Sequence, residues 1–207
     1  MSEKIRIAVL VSGGGTNLQA LIDAQQAGEI PDGESALVVS NKTGAYALER
    51  AAKAGIPAAT VTKKANGGTQ EGFEQALLAV LKENRIDLVI LAGFLAILSA
   101  DFTRAYNDRI INVHPSLIPS FCGKGFYGLK VHVAALEDGE KLTGATAHLG
   151  NEIPDGGRIL LQKAVDILPD DTAETLQKRV MEQAEWKLLP KAAQLVAHQL
   201  LEEKNNV

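Results

Sequence analysis

The chain has 207 residues, 46% hydrophobic and 22% charged, the balance of an ordinary globular protein with room for one sizeable core. A formal charge of −4, with Lys and Arg spread along the chain, argues against a general polyanion binder such as a nucleic-acid-binding protein. The single cysteine, Cys122, excludes an intrachain disulfide, and the longest apolar stretch, Leu88 to Leu98, contains Gly93 and is too short to span a bilayer. Met1-Ser2-Glu3-Lys4 leads into a strand rather than a signal peptide, so a cytoplasmic protein without membrane contact is expected.

Ile5 to Val11 is an apolar run that reads as a buried strand and ends in Ser12-Gly13-Gly14-Gly15. Thr16 and Gln19 have the spacing of a capping box, and Leu18, Leu21 and Ile22 mark the buried face of the helix that follows. Ala36 to Val39 is the next buried strand, Gly44 to Ala54 a helix closed by Gly55, and Ala58 to Val61 a short strand. Thr69 caps a helix over Gln70 to Asn84, and Ile86 to Leu91 is again strand. This alternation predicts an α/β protein with a Rossmann-like, doubly wound parallel sheet.

The rhythm changes after His114. Tyr127 to Leu136 reads as helix, and Thr143 to Leu149 and Arg158 to Val165 as two hairpin-like strands around Pro154-Asp155-Gly156-Gly157. The sheet is therefore expected to become mixed toward the C-terminus. Asp171 and Glu174 open a long C-terminal helix with a kink expected near Pro190. With no linker, repeat or low-complexity tract, residues 1–207 read as one domain.

Three places carry chemistry. Gly13, Gly14, Gly15, Thr16 and Asn17 lie between the first strand and its helix, where glycines admit close approach and free N–H groups face an anion. No Lys completes a Walker A loop, Leu18 replaces the third glycine of a dinucleotide fingerprint, and Asn41 rather than an acid closes the second strand; a monophosphate site is inferred. Asn112 and His114, two apart on a strand that Pro115 ends, present an amide donor and an imidazole on one side, a pair suited to carbonyl chemistry. Asp155 offers a carboxylate on a Gly-rich turn, which read alone is an Asx-turn residue. His148 reads as a core or sheet-face residue, and His132 and His198 as helix residues. Cys122 reads as an ordinary loop cysteine rather than a thiol nucleophile beside His114. The four histidines lack metal-ligand spacing, so no metal is expected.

Taken together, Ser12-Gly13-Gly14-Gly15-Thr16-Asn17, Gly93-Phe94-Leu95, Asn112-Val113-His114-Pro115-Ser116-Leu117-Ile118-Pro119 and Asp155-Gly156-Gly157 resemble the folate-dependent phosphoribosylglycinamide formyltransferases of purine synthesis, over Ile5 to about Pro190. The resemblance implies that Asn112, His114 and Asp155 form a catalytic trio. It implies that Gly13 to Asn17 and Glu185 hold phosphoribosylglycinamide, Gln183 being a competing choice for the phosphate contact. Leu95, Ala96, Ile97, Leu98, Asn112, Leu149, Asn151 and Ile153 would border 10-formyltetrahydrofolate as co-substrate. Residues 1–90 would then form the phosphate-binding half and residues 91–207 the folate-binding and catalytic half, with small molecules as the only partners and a monomer or homodimer as the state.

Three features depart from the family pattern. Ala96 stands where a basic residue often anchors the folate tail, Ser120 to Tyr127 form a longer insertion, and Met181-Glu182-Gln183-Ala184-Glu185 is one residue longer than the usual helix. Rival readings are a formyltetrahydrofolate hydrolase, which usually carries a regulatory domain before the strand that here starts at Ile5; a methionyl-tRNA formyltransferase, which adds a nucleic-acid-binding domain; and a non-catalytic phosphate-ligand binding module.

Overall fold

The computed structural model describes residues 4–206. Its centre is a sheet of seven strands in the order β3-β2-β1-β4-β5-β6-β7. The strands β1 (Ile5–Val11), β2 (Gly33–Ser40), β3 (Ala58–Thr60), β4 (Leu88–Leu91) and β5 (Ile110–His114) run parallel, and β6 (Leu142–Leu149) and β7 (Ile159–Asp166) are antiparallel. The parallel-then-mixed order expected from the sequence is the order observed. The direction of winding reverses between β1 and β4, the switch point at which such sheets open a crevice beyond their strand ends.

Strand alternation divides the core in two. From β1, Ile5, Ile7, Val9 and Val11 enter one cluster with Leu189, Ala193 and Val196 of the C-terminal helix. Ala8 and Leu10 enter the other, with Phe73, Leu77 and Leu81 of α3 (Gln70–Glu83) and with Phe102. The same parity places Ile110 of β5 with the second cluster and Ile111 and Val113 with the first, so Asn112 and His114 fall on the α3 side.

Several local expectations change. The helix after the Gly-rich loop, α1 (Thr16–Gln26), is capped by Gly15 with φ 72° and by no side chain, so Thr16 and Gln19 form no capping box. Gln19 instead bonds Asp23 and accepts from Arg50. The next helix, α2 (Tyr46–Lys53), starts two residues later than expected because Gly44 takes a φ of 72°. A short α4 (Ala100–Ala105), capped by Ser99, was not anticipated and lies under the loop after β4. α5 (Leu129–Glu137) and β6 follow the expected bounds closely.

The C-terminal helix begins at a capping box of Thr172 and Thr175, while Asp171 is turned aside to pair with Arg179. It runs as α6 (Ala173–Val180), a π turn (Met181–Glu185) and α7 (Trp186–Asn205). The irregularity therefore falls at Met181–Glu185, where an extra position was expected, one turn before Pro190. A π turn adds one residue without breaking the helix. Pro190 removes the amide that would bond back to Trp186, the residue that closes the turn.

Candidate active site

Ser12 closes β1 and its hydroxyl gathers three loops. It donates to Asn41 Oδ1 after β2 (2.7 Å) and accepts from the Leu95 amide after β4 (2.9 Å). Gly13 and Gly14 are exposed with open space around them. Gly15 is different: a Cβ there would sit 2.6 Å from the Ala47 Cβ, so its lack of a side chain lets α2 pack against the loop. Because no side chain caps α1, its first N–H groups remain free for an anion.

Asn17, buried in the first turn of α1, donates to Glu185 Oε2 at 2.8 Å, and its own Oδ1 has no partner. Burial pushes the Glu185 carboxyl above its ordinary range, with the Asn17 hydrogen bond opposing. The loop glycines and the π turn thus meet at one place, although nearly the whole chain separates them. Gln183, the competing residue, is exposed.

Asn112, His114 and Asp155 are brought together. Asp155 reaches them from a loop that leaves β6 beside the start of β5, where the Gly150 amide bonds to Ile110 O, and doubles back over the sheet face. A turn from Ile153 to Gly156 (2.9 Å) places Pro154 second and Asp155 third with φ 57°, a conformation Asp tolerates better than most residues. The loop closes tightly, for a Cβ on Gly157 would lie 1.6 Å from Leu149 O.

Asp155 Oδ2 lies 3.4 Å from His114 Nδ1 and accepts from the Gly123 amide at 2.9 Å; Oδ1 accepts from Asn112 Nδ2 at 3.3 Å. Burial opposes ionisation of Asp155, but the hydrogen bond from the Gly123 amide and the charge of His114 help to hold the carboxyl below its ordinary range. His114 Nε2 donates to Phe121 O at 2.8 Å. Both ring nitrogens thus face protein acceptors, so neither aims an N–H at a substrate here.

The Ser120–Tyr127 segment is part of this cluster, since Phe121 and Gly123 supply the backbone contacts to His114 and Asp155. Between them, the Cys122 thiol donates to Pro119 O, and burial, then the Asp155 charge, push its pKa up, the opposite of what a thiolate nucleophile needs.

Sequence reasoning missed His148. It lies directly across from Asn112 in the β5–β6 pairing, with Nε2 3.1 Å from Asn112 Nδ2 and 3.5 Å from Asp155 Oδ1. No local signal marked it, because which residue of β6 stands opposite Asn112 is settled only by the β5–β6 register. His132 is wholly buried on α5 with both ring nitrogens unpartnered; burial, then the nearby His114, lower its pKa to about 4.

Of the residues expected to border folate, Leu95, Ile97 and Ile153 are 59%, 69% and 60% exposed, unusually high for large apolar side chains, and Asn151 is exposed beside Ile153. Ala96 is half-buried. Leu98 and Leu149 instead pack into the two core clusters, a difference from their exposed neighbours that the sequence pattern did not separate.

The Formyl transferase family model matches residues 5–193. The chain belongs to this family. The phosphoribosylglycinamide formyltransferase of Haemophilus influenzae is 42% identical to this formyl transferase chain over 185 residues, 89% of this chain and 84% of that protein. The human trifunctional purine biosynthetic protein adenosine-3 is 44% identical over 94% of this chain, which spans only 18% of that longer protein. Among solved structures, glycinamide ribonucleotide transformylase 1 from Symbiobacterium toebii superposes with a TM-score of 0.88 at 40% identity, covering 95% of this chain and 89% of the other. Phosphoribosylglycinamide formyltransferase from Brucella melitensis gives 0.85 at 42% identity, covering 94% and 96%.

Among the described residues of this formyl transferase, no helix is long and apolar enough to cross a membrane, and no group of three or more His, Cys, Asp or Glu could hold a metal ion.

Proposed function

We propose that the protein is a cytoplasmic enzyme that transfers the formyl group of 10-formyltetrahydrofolate to the amine of 5'-phosphoribosylglycinamide, giving the N-formyl product and tetrahydrofolate in purine synthesis. The observation that carries this is the meeting of Asn112, His114 and Asp155 beside an uncapped, glycine-lined helix start. The similarity to phosphoribosylglycinamide formyltransferases along most of their length supports the same reading.

In this reading Gly13 to Asn17 and Glu185 take the phosphoribosyl end of the acceptor, largely within residues 1–90. The exposed Leu95, Ile97 and Ile153, with Ala96 and Asn151, offer an apolar border for the flat ring of the folate in residues 91–207. The acceptor's amine nitrogen attacks the formyl carbon, forming the C–N bond while the carbonyl electrons move to oxygen. Asn112 Nδ2 donates to that oxygen, exchanging its long contact with Asp155 for the developing charge. The His114 cation stabilises the same charge, and Asp155, kept ionised, balances His114 and takes the proton that the amine gives up. Collapse of the intermediate breaks the bond to the folate nitrogen, which takes the proton from Asp155 as it leaves, so that Asp155 is again ionised.

The test is tetrahydrofolate formation with and without the ribonucleotide. Turnover that requires the acceptor is expected. Turnover without it would indicate a hydrolase, and none at all a binding module.

A further inference from the structure

The Asn112 amide has two hydrogens, and only a particular orientation puts either of them where an oxyanion forms. What sets that orientation lies on the neighbouring strand. His148 is 2% exposed, and its Nδ1 is 2.9 Å from the carbonyl oxygen of Leu149. A carbonyl only accepts, so Nδ1 must carry the proton, and Nε2 of the neutral ring is then a lone pair. The atom 3.1 Å from that lone pair is Asn112 Nδ2, so the amide nitrogen, not the oxygen, is drawn inward.

The backbone holds this relay in place. Asn112 and His148 are directly paired across β5 and β6. On its other side the β6–β7 register shifts between Ala147 and His148, with the extra residue, Leu160, on β7, so β6 itself stays continuous through His148. The Leu149 carbonyl is fixed in turn by the close approach of Gly157.

We infer that His148 is a positioning residue for the reaction: through a proton fixed on Nδ1 by Leu149, it accepts one Asn112 hydrogen and leaves the other for the carbonyl oxygen of the formyl group. It touches no reacting atom and acts only through Asn112. A neutral amide facing Asp155 Oδ1 and His148 Nε2 together has no alternative flip, because its oxygen would then face two acceptors.

The inference rests on the formyl-transfer reading for its kinetic test and is independent of it for its structural one. A long-range ¹⁵N–¹H correlation spectrum of the whole protein, at a pH where the ring is neutral, should show the His148 proton on Nδ1; a proton on Nε2 would overturn the assignment whether or not the protein is a formyltransferase. Kinetically, His148→Phe keeps the ring and removes the acceptor, and should lower kcat by roughly 10- to 100-fold with both KM values changed little. His148→Gln, which retains an acceptor at the reach of Nε2, should recover most of that loss. In an Asn112→Ala background the same His148→Phe change should cost less than about twofold, because there is no amide left to orient. An equal loss in both backgrounds, or a Gln variant as slow as the Phe variant at an unchanged Tm, would sink the proposal.

Discussion

Asn17 and Glu185 stand 168 positions apart in the chain and share a buried hydrogen bond of 2.8 Å that joins the glycine-rich loop to the π turn of the C-terminal helix. Glu185→Ala should strand the Asn17 amide without an acceptor, costing about 1–3 kcal/mol of stability and raising KM for the ribonucleotide more than for folate. Glu185→Gln keeps an acceptor and removes the charge. A carboxyl whose folded pKa is raised contributes stability at low pH that is lost as pH rises, so the Tm of Glu185→Gln should gain on the native protein as pH climbs above 4.5. A thermal-melt series across pH checks both variants; an unchanging Tm difference would count against the buried acid.

The glycines of the loop should separate by substitution. Gly13→Val projects into open space, so it should leave Tm near normal and raise KM for the ribonucleotide far more than for folate. Gly15→Val must instead push against Ala47 at a left-handed φ of 72°, so it should lower Tm first, whatever occupies the anion site. Calorimetry beside initial-rate kinetics distinguishes the two.

Removing the Asn112 donor should lower kcat by about 10²–10³ with substrate binding largely kept. Asp155→Asn should also cripple turnover, and the double variant Asn112→Ala/Asp155→Asn should fall well short of the product of the single losses, since the side chains touch at 3.3 Å. Cys122→Ser should be close to normal. Steady-state kinetics on these variants suffices, and a thiol-dependent enzyme would show the reverse pattern.

His132 should make the fold acid-sensitive. Its pKa falls from 6.5 to about 4 on folding, so its neutral form is favoured in the folded chain. The stability linked to it is complete above pH 6.5 and is lost as pH falls toward 4. Asp32, Asp155 and Asp171 are all held below their ordinary carboxylate range, so their contributions fade only at lower pH. Replacing His132 by Phe also removes two unpartnered buried nitrogens, and should flatten the fall in Tm between pH 6.5 and 4.5; an unaltered slope would show that another group governs it.

Ala96, half-buried between the exposed Leu95 and Ile97, offers no charge to a folate tail. Ala96→Arg should favour longer glutamate tails by at most about fivefold, and less at high salt, because an exposed ion pair contributes only about 0–1 kcal/mol. KM values for mono- and polyglutamylated folate at two salt concentrations measure it.

The patterns most legible in the amino-acid order were those that arise from neighbours in the chain. The apolar run Ile5 to Val11 and the Thr69 cap specified an element each, because strand alternation and capping depend on residues a few positions apart. Asn112 and His114 could be paired in advance for the same reason, their spacing matching the two-residue period of a strand. Tertiary structure decided the rest. Whether Leu98 and Leu149 faced a ligand or the core depended on what packed against them, which periodicity does not encode. Gly15 rather than Thr16 caps α1, and α2 packs so close to it that no side chain would fit there. His148 entered the site only through the antiparallel pairing of β5 with β6, and Asp155 only because its loop turns back across the sheet. Contacts between distant segments depend on chain closure and strand register, and those are settled by the packing of the whole molecule rather than by any local stretch of it.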